Sequence, residues 1–69
     1  MNIVGKTFRH YKGNVYKVAG EATDSETLEP VIIYVERSDT KNVWVRPKVM
    51  FLENVIVDGL EMPRFEAID

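Results

Sequence analysis

The chain has 69 residues, no cysteine and a formal net charge of −2 from nine basic and eleven acidic residues. This length predicts a single domain over residues 1–69, and the lack of cysteine excludes disulfides and cysteine-ligated zinc. The weak negative charge provides no field that attracts nucleic acid or an anionic membrane, so neither partner is expected. Without a membrane-length apolar run or a leader-like start, we expect a cytoplasmic protein, and its small size favours a homo-oligomer.

Short β-type runs separated by turn residues begin the chain and predict strands rather than alternating helices and strands. The first run covers residues 7–11, and a glycine turn leads into a second run over residues 15–22. Tyr16 and Val18 share one face of the second run, which should point to the core. Gly20 follows on the same face and is a candidate bulge.

A polar connector, residues 23–27, precedes the most apolar run of the chain, Val31–Val35. Short polar side chains in such a connector hydrogen-bond their own backbone. A run that is apolar on both faces is typical of a strand with neighbours on either side, so we expect Val31–Val35 to be the central strand.

The next hairpin decides which side chains meet. A five-residue loop over residues 38–42 gives four predicted cross-strand pairs: Arg37 with Val43, Val35 with Val45, Glu36 with Trp44, and Tyr34 with Arg46. Since residues two apart in a strand share a face, Trp44 and Arg46 should stand side by side, opposite the aliphatic face. One patch should therefore contain Tyr34, Glu36, Trp44 and Arg46.

Pro47 predicts a single helical or 3₁₀ turn over residues 49–52, which would plug the open end of a barrel. Residues 54–57 alternate again, Asp58-Gly59 is a strong hairpin signal, and residues 64–66 should close the sheet. Five or six antiparallel strands with one such turn predict an all-β fold, a small SH3-like partly open barrel, with an OB-type barrel as the alternative. Three methionines are expected to fill the core: Met1, Met50 and Met62.

Residues in several segments carry a resemblance that spans nearly the whole chain. They are Arg9-His10-Tyr11-Lys12-Gly13 with Tyr16, Asp24-Ser25-Glu26-Thr27-Leu28-Glu29, Val35, Trp44-Val45-Arg46-Pro47 with Met50-Phe51, and Val57-Asp58-Gly59 with Pro63-Arg64-Phe65. In these the chain resembles the small bacterial and phage proteins catalogued as domain of unknown function 1653. It departs from that family at Asp24, where members often have His, and at Val35, where they often have Arg. The resemblance implies a compact β fold and no particular reaction.

Tyr34, Trp44 and Arg46 are the main candidates for ligand binding. A flat aromatic face beside a fixed guanidinium can recognise a nucleobase and a phosphate together. The competing interpretation is structural: Trp44 packs under Met50 and Phe51 while Arg46 pairs with Glu36. Both remain open on the sequence alone.

Further candidate residues have simpler structural explanations. His10, the only histidine, could act with Lys12 and Glu26 in acid–base chemistry, but it also fits a surface strand position. Ser25 and Thr27 could donate hydroxyl groups to a phosphate, or could cap their own turn. An edge formed by Arg64 and Phe65 could receive a partner or a second copy of the chain.

Three functional hypotheses follow. The first is a non-catalytic module that binds or sequesters a planar, anionic, nucleotide-derived small molecule; a phage version could remove a host signal. The second is an SH3-like protein or peptide interaction module without a small ligand. The third, an enzyme using His10 with Glu26, ranks last because the sequence has no nucleophile–base–orienter set, no metal-ligand spacing and no glycine-rich phosphate loop, so no cofactor is expected.

Overall fold

The computed structural model describes residues 2–69, which form seven strands and one short helix. The elements are β1 (Thr7–His10), β2 (Val15–Thr23), β3 (Pro30–Glu36), β4 (Asp39–Pro47), α1 (Lys48–Leu52), β5 (Asn54–Val57), β6 (Leu60–Pro63) and β7 (Phe65–Ala67). The predicted mainly β fold with one helical turn after Pro47 is confirmed, with seven strands instead of five or six. No helix within residues 2–69 is long and apolar enough to span a membrane.

Five strands form one antiparallel sheet in the order β4-β3-β2-β1-β7, and β5 pairs with β6 in a separate ribbon. The two edge strands, β4 and β7, are not paired with each other within the described residues, so the sheet is partly open. β3 has a neighbour on either side, as predicted, although the middle strand of the sheet is β2. The strand β7 joins the edge next to β1, where His10 lies opposite Phe65.

Helix α1 brings Phe51 into the core, where the side chain is fully buried. Its ring meets Phe8 edge-on at 5.2 Å and stacks on Phe65 at 4.0 Å, so the helix fills the space enclosed by the sheet. This confirms the predicted plug. Met50 is 42% exposed, so its predicted core role is wrong; Met62 is half-buried, and Met1 lies outside the described residues. The core contains Ile3, Phe8, Val18, Ile32, Tyr34, Phe51 and Phe65, with Tyr16 packed against it.

The β3–β4 hairpin differs from the predicted one. Its turn is shorter, because Asp39 already pairs with Glu36, and residues 40–42 form an irregularity before the regular register resumes at Val35 and Val43. The four predicted cross-strand pairs, Arg37–Val43, Val35–Val45, Glu36–Trp44 and Tyr34–Arg46, are therefore wrong. Tyr34 lies opposite Trp44, Ile32 opposite Arg46 and Val35 opposite Val43. Because the register of this regular segment differs from the predicted one by two residues, an even number, Val43 to Arg46 keep their predicted faces.

Two local predictions about turns and bulges are confirmed. The β2–β3 register shifts between Val18 and Gly20, as expected for a bulge at this glycine. In the β5–β6 turn, Asp58 and Gly59 have φ of 51° and 78°, the conformation of a type I′ hairpin turn, for which Asp-Gly is a preferred sequence.

Candidate functional site

The strands β3 and β4 position the candidate ligand surface. Tyr34 and Trp44 are direct cross-strand partners, and Arg46 lies two residues beyond Trp44 on the same face. The Nε of Arg46 donates a hydrogen bond to the hydroxyl of Tyr34 at 3.3 Å, and the guanidinium carbon lies 5.7 Å from the centroid of the Phe65 ring. These two contacts fix the guanidinium of a long side chain that would otherwise sample many rotamers.

The structural interpretation of this face, in which Trp44 is packed away and Arg46 is neutralised, does not match the contacts. The Trp44 side chain is 46% exposed, so it is not covered by Met50 and Phe51. Within residues 2–69, the ion pairs are Lys48–Glu21 at 2.8 Å and Arg64–Glu53 at 2.9 Å, and neither involves Arg46. A fixed cation with no acidic partner in the described chain therefore stands beside a half-exposed indole.

Tyr34 has a different role from the one expected. Only 4% of it is exposed, and its ring meets those of Tyr16, Phe51 and Phe65 at 5.3 to 5.5 Å. It therefore supports Arg46 from beneath and does not itself offer a face to a ligand. An SH3-like peptide site would need both Tyr34 and Trp44 to line an open groove, and the buried Tyr34 cannot do so.

Phe65 organises the side chains below Arg46. Phe51 stacks on it at 4.0 Å, the Arg46 guanidinium lies over its ring, and His10 meets it edge-on at 4.9 Å. Phe65 lies in the edge strand β7, as expected, but its side chain is only 5% exposed and offers no open face of its own. The sequence did place an aromatic residue here, but its distance from β3 and β4 along the chain gave no sign that it would underlie Arg46.

His10 lies at the border of this cluster in a positively charged setting. Its Nδ1 accepts a hydrogen bond from the backbone N–H of Lys12 at 3.1 Å. Burial lowers the pKa of His10 from its ordinary value of 6.5, and the nearby charges of Arg46, Arg64 and Lys12 lower this pKa further. All the charges that shift it are cationic, so this border of the surface favours an anion.

Arg64 adds positive charge to the surroundings of His10, a role that the sequence did not predict. Its Nη2 pairs with Glu53 at 2.9 Å, while its Nε is buried without a hydrogen-bond partner in the described chain. The backbone of Arg64 also ties β7 to its surroundings, since its carbonyl accepts from the N–H of Tyr11 at 2.9 Å. The residue therefore adds positive charge near His10 while holding the end of the chain in place.

Three other predicted site residues lie elsewhere: Ser25, Glu26 and Thr27. They belong to the connector between β2 and β3, at the end of the sheet opposite the turn that holds Lys12. There the Asp24 carboxylate accepts from the N–H groups of Glu26 at 2.8 Å and Thr27 at 3.2 Å, and the Thr27 hydroxyl accepts from Glu29 at 3.2 Å. The connector caps its own turn, and no side-chain hydrogen bond or ion pair found within residues 2–69 joins it to Trp44 or Arg46.

The candidate site is an open surface. Three surface grooves are formed by other residues, one of them lined by His10 with Tyr11, Met62 and Pro63, and neither Trp44 nor Arg46 lines any of the three. Within residues 2–69, no group of three or more His, Asp and Glu side chains is placed to hold a metal ion. The arrangement suits recognition through stacking and charge more than enclosure of a substrate.

Comparison with known proteins places this fold in a family. Residues 6–67 match the family model described as "Protein of unknown function (DUF1653)". The chain belongs to this family. Its fold is similar to the crystal structure of a protein belonging to DUF1653 from Bordetella bronchiseptica, with a TM-score of 0.78 and 30% identity over 90% of this chain and 82% of that chain. No curated protein matches the chain. The resemblance inferred from the sequence is thus confirmed.

Proposed function

We propose that this DUF1653 chain is a cytoplasmic, non-catalytic module that binds a planar, anionic small molecule, with a nucleotide-derived compound as the best chemical match. The observation that carries this proposal is the state of Arg46. Tyr34 and Phe65 hold its guanidinium, no acidic group of the described chain neutralises it, and the half-exposed Trp44 stands beside it.

The chemistry of the two groups is complementary. Because Nε of Arg46 is engaged by Tyr34, the two terminal nitrogens are left to make a forked contact with phosphate oxygens. A base stacked on an exposed indole contributes about 1 to 3 kcal/mol and shows little base preference. Lys12 and the Arg64 side chain add positive potential near His10, in a chain whose net charge is negative. The site therefore favours ligands that combine a ring with an anion.

A binding role is favoured over the acid–base alternative by the positions of His10 and Glu26. His10 ends β1 beside the first turn, and Glu26 lies in the connector at the other end of β2. Nine residues of extended strand separate the two ends, which corresponds to about 30 Å. Proton transfer between two such groups needs hydrogen-bond distance or one bridging water.

The first experiment is a native mass spectrum of the protein freshly purified from a bacterial lysate. A discrete mass that denaturation releases would identify the ligand class directly. Titrations with AMP and ADP then use the fluorescence of Trp44, the only tryptophan, with adenosine and inorganic phosphate as the two half-ligands. We expect both nucleotides to quench Trp44 and each half-ligand to bind at least tenfold more weakly.

Variants separate charge from geometry at this site. Arg46→Ala should abolish binding, and Arg46→Lys should recover only a small part of it, since lysine lacks the planar fork. The matched control is Arg37→Ala, which removes an exposed arginine from the β3–β4 turn. If neither nucleotide nor any retained compound binds, or if Arg37→Ala weakens binding as much as Arg46→Ala, the proposal is wrong.

A further inference from the structure

The strand β4 is an unusually open edge of the sheet. Its far side has no partner strand within residues 2–69, and all nine of its residues except Arg46 are exposed. The opposite edge, β7, has only three residues, and the two that are exposed are Glu66 and Ala67. An exposed edge presents unpaired backbone donors and acceptors that can pair with another strand.

The apolar part of this edge coincides with its regular part. The irregularity at residues 40–42 ends the regular pairing on one side, and α1 begins at Lys48 on the other, which leaves Val43–Pro47 as the free segment. Val43 is 59% exposed and Val45 is 61% exposed on one face, with Trp44 at 46% on the other. Bulges and prolines are common ways of limiting edge pairing, and here they limit it to five residues.

We propose that a second copy of this chain pairs with β4 in an antiparallel manner, with Val45 on the two-fold axis. Antiparallel pairing about an axis normal to the sheet keeps the core-facing sides of both sheets on the same side, so each residue meets one on its own face. The pairs are then Val45 with the partner's Val45, Trp44 with the partner's Arg46, and Val43 with the partner's Pro47.

The register follows from side-chain complementarity. In it each Arg46 faces an indole and no like charges are opposed, so the two-fold axis creates two cation–π contacts on the face that carries Trp44 and Arg46. Centring the axis one residue earlier, at Trp44, would oppose the two indoles and place Arg46 against the irregular segment at Asn42. A dyad at Val45 instead uses the regular segment alone.

This pairing would complete the ligand surface. The Arg46 guanidinium lies between Tyr34 and Phe65 on its own protomer, and the partner's Trp44 would stand on its outer side. Each of the two sites would then combine the guanidinium of one copy with the indole of the other. The interface itself needs no ligand, so it can be tested in the ligand-free protein, independently of the proposed function.

The first test uses disulfide formation in a chain that has no cysteine of its own. In the proposed register, two Val45→Cys residues face each other at about 4.5 to 5.5 Å between Cα atoms, within the range of a disulfide. Two Val43→Cys residues would be about 14 Å apart, four positions along the strand. The valines have the same face and nearly equal exposure, so Val43→Cys is a matched control.

We expect mild oxidation to convert most of the Val45→Cys protein to a covalent dimer and to leave Val43→Cys at the level of random collision. Equal cross-linking of the two variants, or none in either, overturns the proposed register. Circular dichroism of both variants shows that they are folded before oxidation.

The second test measures the mass in solution by sedimentation over roughly a hundredfold range of protein concentration. Such a range is needed because five paired residues bury less area than stable interfaces, which begin at about 1,200 Å², so the dimer should dissociate on dilution. Wild type should shift from monomer to dimer, and Val45→Lys should remain monomeric because like charges meet on the axis. Mixing Val45→Lys with Val45→Glu should restore a dimer containing one copy of each. A wild type that stays monomeric throughout, as expected if the edge receives a different partner, overturns the proposal.

Discussion

Replacing Phe65 by leucine tests whether ring contacts in the core hold the support of Arg46 together. Phe65 has four ring partners, namely His10, Tyr16, Tyr34 and Phe51, at centroid distances from 4.0 to 5.8 Å. Phe8 is equally buried, at 4% against 5% exposed, and among the rings of residues 2–69 it meets only that of Phe51, at 5.2 Å. Phe8→Leu is therefore a control that loses similar area but fewer aromatic contacts.

The expected difference follows from these contacts. Three additional ring pairs, each taken at the low end of about 0.5 kcal/mol because neighbouring contacts are not additive, contribute about 1.5 kcal/mol. The guanidinium of Arg46 over the ring adds about 0.5 kcal/mol. Phe65→Leu should thus lower the free energy of unfolding by about 2 kcal/mol more than Phe8→Leu does. For a domain of this size that difference corresponds to about 10 °C in Tm.

Urea unfolding monitored by circular dichroism gives both values, and an unchanged urea m-value shows that the comparison is between similar unfolded states. The fluorescence of Trp44 provides a second probe of the same transition. Equal destabilisation by Phe65→Leu and Phe8→Leu, with m unchanged, would refute the idea that the ring contacts around Phe65 add stability beyond buried area.

Three further predictions concern local features. Burial and the nearby cations lower the pKa of His10 in the folded state, so its contribution to the free energy of unfolding should be constant above about pH 6.5 and decrease as the pH falls below that value. Urea midpoints measured from about pH 7.5 to about pH 5 should show this decrease in the wild type and a flatter dependence in His10→Gln. Gly59 has φ of 78°, so Gly59→Ala should lower the free energy of unfolding by about 1 kcal/mol, whereas Gly20→Ala should lower it less because Gly20 has an ordinary φ and open space around it. A larger loss for Gly20→Ala would contradict the assigned turn. Asp24→Ala should lower the free energy of unfolding by about 1 kcal/mol, because it removes the acceptor of two backbone N–H groups. Ser25→Ala removes no hydrogen bond seen among residues 2–69, so the same urea unfolding experiment should show almost no change.

The sequence determined those features that depend on local chemistry. Alternation gave the strands and the face of each side chain, Pro47 gave the start of α1, and Asp58-Gly59 gave a type I′ turn, because each of these follows from the conformations that a few adjacent residues can adopt. The shared face of Trp44 and Arg46 is such a feature. It survived an error of two residues in the predicted register, since side-chain direction in a strand repeats every two residues.

The tertiary structure alone decided which of these side chains are covered. The final strand returns to β1 and places Phe65 under Arg46, beside His10, and this long-range pairing has no local signal. The order of strands leaves β4 at an edge, and Val43 and Val45 are exposed although they form an aliphatic face of the strand. Burial depends on the packing of distant segments, whereas strands, turns and side-chain faces depend on neighbouring residues. For this reason only the tertiary structure shows that Tyr34 is buried and holds Arg46, while Trp44 is exposed at the surface.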